Sequence, residues 1–295
     1  MSPPAPDSAF AFVYSWIDED IAMRLGLEAG VHTLDIAVEQ AIAGVPISAE
    51  QLVRDGTAAT LEPLKARGLS VCQIGAFGFN PLSTDRARQS EQAAMLQRAI
   101  PLAAETGCPY IVINGGNYHP SGFLAGDRRN FEDAALDEVA RALEPMLRLA
   151  EQHGVKLSIE PYLKTAINTP ERFLKLKAKV GSEALVVNID VTSLYDYQDM
   201  WGAEEKVEHI CTTLAGYYGL CHLKGVALAE AFHIHINLAP ITEDSTDWAQ
   251  VIKLVSQHLS DDSWVILEHV ASPEEARASI AYLRDLAQQA GVVLS

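Results

Sequence analysis

VKLSIEP, residues Val155 to Pro161, is a short apolar run that ends on a carboxylate and is closed by a proline. Its length and its alternation of Leu157 and Ile159 read as a strand inside a sheet. Glu160 is then out of place, because a buried carboxylate is costly unless it is paired, hydrogen-bonded or bound to a metal. The flanking sequence sets the context. Upstream, ALDEVARALEPMLRLAEQHG (135–154) carries apolar residues at helical spacing and stops at Gly154. Downstream, NTPERFLKLKAKVG (168–181) opens with an Asn/Thr cap and Pro170 in its first turn, and leads into a second apolar run, ALVVNID (184–190). Strand, helix, strand is the unit of a parallel α/β protein.

The same unit repeats in both directions. Strands are expected at AFAFVYS (9–15), HTLDIAV (His32 to Val38), LSVCQIGAF (69–77) and YIVINGG (110–116), and again at YGLCHLKGV (218–226) and SWVILEHV (263–270). Helical patterns lie between them: WIDEDIAMRLGLEAG (16–30), LEPLKARG (61–68), SEQAAMLQRAIPLAAETG (90–107), EEKVEHICTTLAG (204–216) and DWAQVIKLVSQHLS (247–260). SPEEARASIAYLRDLAQQAG (272–291) closes the chain. Eight strand candidates in 295 residues favour a single (β/α)8 TIM barrel, residues 1–295, with residues 1 to about 7 frayed. No GxGxxG follows a strand, which argues against a dinucleotide fold.

Composition narrows the partners. A net charge of −17 argues against a phosphate-tracking groove, so no nucleic acid is expected. No run approaches the roughly 18–20 apolar residues of a spanning helix, and the start lacks a secretory pattern. The expectation is a cytoplasmic protein without a membrane partner. Cys72, Cys108, Cys211 and Cys221 are scattered without CxxC pairs and read as reduced core thiols.

In a barrel the C-terminal strand ends meet on one face, where chemistry resides. Here they bring Glu160, Asp190, His222 and Glu268, one from each of four consecutive strands. Three carboxylates repel one another, and a divalent cation is the simplest remedy. Oxygen and nitrogen donors suit manganese, taken first, or magnesium, cobalt, zinc or iron. Taken singly, each residue also fits a helix cap, an ion pair or a core hydrogen bond; it is the set that points to a metal. Around it, Asn114, Asn117 and His119 of NGGNYHP lie near the mouth, and His119 is a candidate acid or base. Lys224, two positions after His222, points to the same side and is a second candidate catalytic group. Tyr162 and Lys164 would line or roof the pocket, Trp16 and Trp201 would stack on a ligand or pack in the core, and FHIHINLAPITEDSTDW (232–248), with His233 and His235, reads as a loop over the site.

The motifs SIEP, NID, HLKG and ILEH, in this order, resemble those of the sugar phosphate isomerase/epimerase family, the xylose isomerase-like TIM barrels. The resemblance implies that Glu160, Asp190, His222 and Glu268 are metal ligands and that Glu160 and Glu268 exchange protons with a sugar carbon. It implies a metal-dependent isomerase or epimerase of keto sugars working through a metal-stabilised enediolate, with a small carbohydrate as substrate. Two positions depart from it. Ser193 stands where family epimerases carry the His of D-x-x-H, and Gly225 replaces the Asp of HLKD. The EH of ILEH and the closing helix are similar to relatives that cleave 3-keto-glycosides, including C-glycoside deglycosidase catalytic subunits, so a lyase acting by β-elimination is the alternative. An inactive barrel serving as a binding or assembly subunit is the non-enzymatic one. Such relatives form homo-oligomers or carry a small accessory subunit, and either is compatible with this chain.

Overall fold

The computed structural model describes residues 12–15, 43–121, 125–260 and 263–292. Eight strands form one parallel sheet: β1 (Phe12–Ser15), β2 (Gly44–Ser48), β3 (Ser70–Gly75), β4 (Tyr110–Asn114), β5 (Lys156–Glu160), β6 (Leu185–Ile189), β7 (Tyr218–Leu223) and β10 (Val265–Glu268). Their order is β1-β10-β7-β6-β5-β4-β3-β2, and the backbones of β1 and β2 return to lie beside each other. This is the expected TIM barrel. Two further strands, β8 (Gly225–Leu228) and β9 (Ile236–Ala239), form a separate antiparallel ribbon.

Seven α-helices are present among the described residues: α1 (Ala49–Lys65), α2 (Arg86–Thr106), α3 (Asp133–His153), α4 (Pro170–Val180), α5 (Glu204–Thr213), α6 (Trp248–Ser256) and α7 (Pro273–Gln289). Local chemistry sets their ends. Thr169 caps α4 by accepting from Arg172 N with Pro170 at the first position, and Ser272 caps α7 by accepting from Glu275 N. Helix α3 stops at Gly154, whose φ of 66° is open to glycine at little cost. The buried faces of the helices pack on strands β4 to β7, which are buried almost throughout, as a parallel sheet covered on both sides must be. Trp248, Tyr110, Phe79 and Phe173 are the largest side chains fully enclosed, each stabilising the fold by about 2–3 kcal/mol through burial. All four cysteines are buried thiols.

The strand expected at His32–Val38 and the helix at 16–30 fall outside the described residues, as do residues 1–7. The strand paired with β3 is Gly44–Ser48, which the sequence reading did not mark; it contains Pro46, and the register shifts between Val45 and Pro46 to accommodate it. The expected strand 218–226 breaks at Lys224. Beyond it the chain leaves the barrel as β8 and returns as β9, so part of the expected loop 232–248 is a strand. Gly225 allows this, since a Cβ there would lie 2.4 Å from Ala239 O and 2.8 Å from Ile241 Cα.

Candidate metal centre

Glu160 is the last residue of β5, Asp190 follows β6, His222 lies near the end of β7 and Glu268 ends β10. One ligand atom from each lies within 4.8 Å of all the others. Glu160 and Glu268 are each 8% exposed, Asp190 2% and His222 not at all. Strand alternation explains the convergence: Ser158 and Asn188, two positions before Glu160 and Asp190, lie on the same face and are also fully buried.

Lys224 stands among the carboxylates. Its Nζ bonds Asp190 Oδ2, donates to Ser193 Oγ at 2.7 Å, and lies 3.6 Å from Glu160 Oε1 and 4.0 Å from Glu268 Oε2. Ser193 donates to Asp190 Oδ2 at 3.0 Å and reaches Glu160 Oε1 at 3.4 Å. Asp190 Oδ1 accepts from Thr192 Oγ1 at 3.0 Å and Ser193 N at 3.1 Å. Asp190 is therefore held by its own loop before any ligand arrives.

The electrostatics divide the two glutamates. Burial, reinforced by Glu268, pushes Glu160 up to about 7 against the pull of Lys224 and His222. Burial also opposes the charge on Glu268, but His222, His269 and Lys224 outweigh it and hold this carboxyl well below the usual range. Burial disfavours charge on His222 and Lys224 as well; the surrounding carboxylates win, and both are raised. His269, directly after Glu268, is lowered chiefly by burial, and its Nε2 lies 3.8 Å from Glu268 Oε2. Its φ of 54° is the single positive value outside glycine among the described residues. Such a conformation costs of order 1 kcal/mol.

The donor set fits a divalent cation. His222 Nε2 lies 2.5 Å from Gln73 Oε1. The other ring nitrogen, Nδ1, is 2.8 Å from Glu268 Oε1 and 3.7 Å from Glu160 Oε2, yet has no hydrogen-bond partner of good geometry. A ring nitrogen facing two carboxylates at this range is placed as a ligand to a cation shared with them would be.

Other residues named from the sequence fall elsewhere. His119 sits in the loop after β4, where its Nδ1 meets Ser121 Oγ at 2.7 Å and its N–H bonds Asn117 Oδ1; it is not part of the four-residue cluster. Asn114 donates to Phe77 O and Phe79 O, and Asn117 accepts from Asn130 and donates to Ala125 O, so both brace loops. Lys164 Nζ stands 5.9 Å from the Tyr162 ring, Trp201 is 73% exposed, and Trp16 lies outside the described residues. His233 and His235 are exposed on the ribbon segment. Gln73 and His269 were not picked out as site residues from the sequence. The signal for Gln73 was a lone amide in the apolar run of β3; for His269 it was its position beside Glu268.

The model of the xylose isomerase-like TIM barrel family matches residues 24–286. The chain belongs to that family. Similar solved barrels include a D-tagatose 3-epimerase-like protein, 16% identical over 96% of this chain and 98% of that one, with a TM-score of 0.71. A xylose isomerase-like TIM barrel protein from Mycobacterium smegmatis, solved in complex with magnesium, is 17% identical over 88% of each chain with a TM-score of 0.67. The 3-keto-D-glucoside 4-epimerase from E. coli is 15% identical over 94% of this chain and 99% of that one, with a TM-score of 0.65. At such identities the likeness is one of fold. No curated protein matches the chain in sequence. Among the described residues no helix is long and apolar enough to cross a membrane.

Proposed function

We propose that this xylose isomerase-like barrel is a divalent-metal enzyme that removes a proton next to the carbonyl of a keto sugar, as an isomerase or epimerase. The observation that carries the reading is the buried meeting of Glu160, Asp190, His222 and Glu268 at four strand ends, one ligand atom of each within 4.8 Å of the others. A bound cation supplies Lewis acidity, which polarises a carbonyl and acidifies the adjoining C–H.

The chain's own residues then have distinct tasks. Glu160 and Glu268 rise from strands separated by β6 and β7, so they flank the centre from two sides. One takes the proton and the other can return it from a different direction, the requirement for epimerisation. Lys224 and Ser193 present donors beside Asp190, positioned to orient a sugar oxygen once Lys224 is released from its carboxylate.

The test begins with metal content of protein purified without chelator, in wild type, Asp190→Ala and His222→Ala. About one ion per chain, lost in both variants, is the expected result. Exchange of sugar protons in heavy water is then followed with keto sugars and 3-keto-glycosides, alongside Glu160→Gln and Glu268→Gln. Exchange with an epimeric or isomeric product is expected, reduced roughly 10²- to 10⁴-fold in the two variants. Proton loss tied to release of an aglycone would instead establish the β-eliminating lyase. A wild type that binds none of manganese, magnesium, cobalt, zinc or iron would overturn the reading in favour of a binding subunit.

A further inference from the structure

The metal reading leaves one contact of the centre unassigned. Gln73, on β3, is wholly buried, and its side-chain oxygen lies 2.5 Å from His222 Nε2 on β7. In the sheet, β3 and β7 are separated by β4, β5 and β6, so this contact crosses the barrel interior. An amide enclosed in an apolar strand destabilises the fold unless it is bonded, and here the oxygen is the atom engaged while Gln73 Nε2 has no partner.

We propose that Gln73 is the positioning residue of the centre: its side-chain oxygen keeps the His222 proton on Nε2 and so turns the Nδ1 lone pair toward Glu160 and Glu268. The reason lies in the field around the ring. Nδ1 faces Glu268 Oε1 at 2.8 Å and Glu160 Oε2 at 3.7 Å, and negative charge on that side draws the imidazole proton to Nδ1. A proton there closes the nitrogen to a cation. An acceptor on the opposite side counters the pull, because the neutral ring carries one proton and a bonded Nε2–H holds it. The reversed amide, with its nitrogen toward the ring, would demand the opposite tautomer and leave Nδ1 protonated. This inference rests on the metal reading, but it adds a residue and a tautomer that can be measured directly.

The experiment uses the full chain as wild type, Gln73→Met, which keeps the volume and removes the acceptor, and Gln73→Glu, which keeps an acceptor. Zinc affinity is measured by calorimetry against a competing chelator. Long-range ¹⁵N–¹H spectra of histidine-labelled protein report the tautomer, with the His222 signals assigned by their loss in His222→Gln. Zinc-loaded wild type should show a protonated Nε2 and a metal-shifted Nδ1. Gln73→Met should bind zinc roughly 10- to 100-fold more weakly, and Gln73→Glu at least as tightly as wild type. Equal zinc affinity in Gln73→Met and wild type overturns the inference while leaving the metal centre standing. A zinc-loaded wild type with its proton on Nδ1 does the same, and decides the matter even if Gln73→Met does not fold. A wild type that takes up neither zinc nor manganese, magnesium, cobalt or iron removes both this inference and the reading beneath it.

Discussion

The two halves of the barrel use the polar groups at their strand ends differently. Strands β2, β3 and β4 end on Ser48, Gly75 and Asn114. Ser48 Oγ caps helix α1 by accepting from Gln51 N at 2.9 Å. Gly75 leaves room for the Phe77 ring, 2.9 Å from where its Cβ would stand. Asn114 bonds Phe77 O, Phe79 O and Gly116 N. Every one of these groups is satisfied by nearby backbone or packing. Strands β5, β6, β7 and β10 instead bring charged groups to face one another, with Lys224 as their only ammonium among the described residues. A strand-end polar residue with local partners is scaffold; one whose neighbours are like charges belongs to the candidate metal centre.

Removing Lys224 tests this contrast most severely. In metal-free protein its ammonium offsets the carboxylates, so Lys224→Met should cost about 3 kcal/mol of stability in urea titrations with chelator present. The same change removes a positive charge that competes with the metal, so zinc should bind roughly tenfold tighter or better. Loss of zinc affinity in Lys224→Met would show that the lysine assists the cation rather than standing in for it.

The pH dependence of stability should also separate the halves. Glu160 is raised from an ordinary 4.5 to about 7, so the native state holds its proton more firmly than the unfolded chain does. The stability this confers is complete below about pH 4.5 and is lost as pH rises through about 7. His222, also raised, acts in the same direction above its own ordinary value of 6.5. Metal-free protein should therefore unfold more readily near pH 8 than near pH 6. Saturating metal, which takes the place of the proton, should abolish or reverse that trend, and Glu160→Gln should flatten it. A metal-free chain that gains stability between these pH values would contradict the shift.

On the scaffold side, Asn114→Ala leaves the Phe77 and Phe79 carbonyls and the Gly116 N–H without their partner. Stability should fall by about 2–4 kcal/mol, while metal stoichiometry stays at the wild-type value. Coupled loss of metal would mean that the β4 loop supports the centre and that the division drawn above is too sharp.

How much of this was legible in the sequence follows the same division. The four ligand candidates could be read because two rules suffice: side chains alternate along a strand, and strand ends share one face of a barrel. Gln73 could not be placed on the centre, since its partner is 149 residues away and only closure of the barrel brings them together. The ribbon β8–β9 was missed although Phe232, Ile234, Ile236 and Leu238 alternate with His233, His235 and Asn237, because the ribbon stands outside the barrel and Phe232, Ile234 and Leu238 stay exposed there instead of joining the core. Strand β2 was missed for a different reason: Gly44 and Pro46 are poor strand formers, and pairing with β3 overrides that local preference. That Ser121 engages the ring of His119 could not be read from NGGNYHP, because the fold of the loop after β4 sets that contact.

The smallest expected effect is the cleanest control. Ser48 and Glu160 occupy equivalent places, each the last residue of its strand, yet Ser48 Oγ accepts from Gln51 N and serves the first turn of α1. Ser48→Ala frees that N–H, and a lost cap costs about 1 kcal/mol. Helix α1 is interrupted at Gly56, where φ is 79°, so fraying should be confined to the turn before the break. Hydrogen exchange should accordingly quicken over residues 50–55 and leave β5, β6 and β10 unchanged, with metal affinity unaltered. If metal affinity falls together with the cap, then strand-end position alone couples a residue to the centre, and local hydrogen bonding no longer distinguishes scaffold from site.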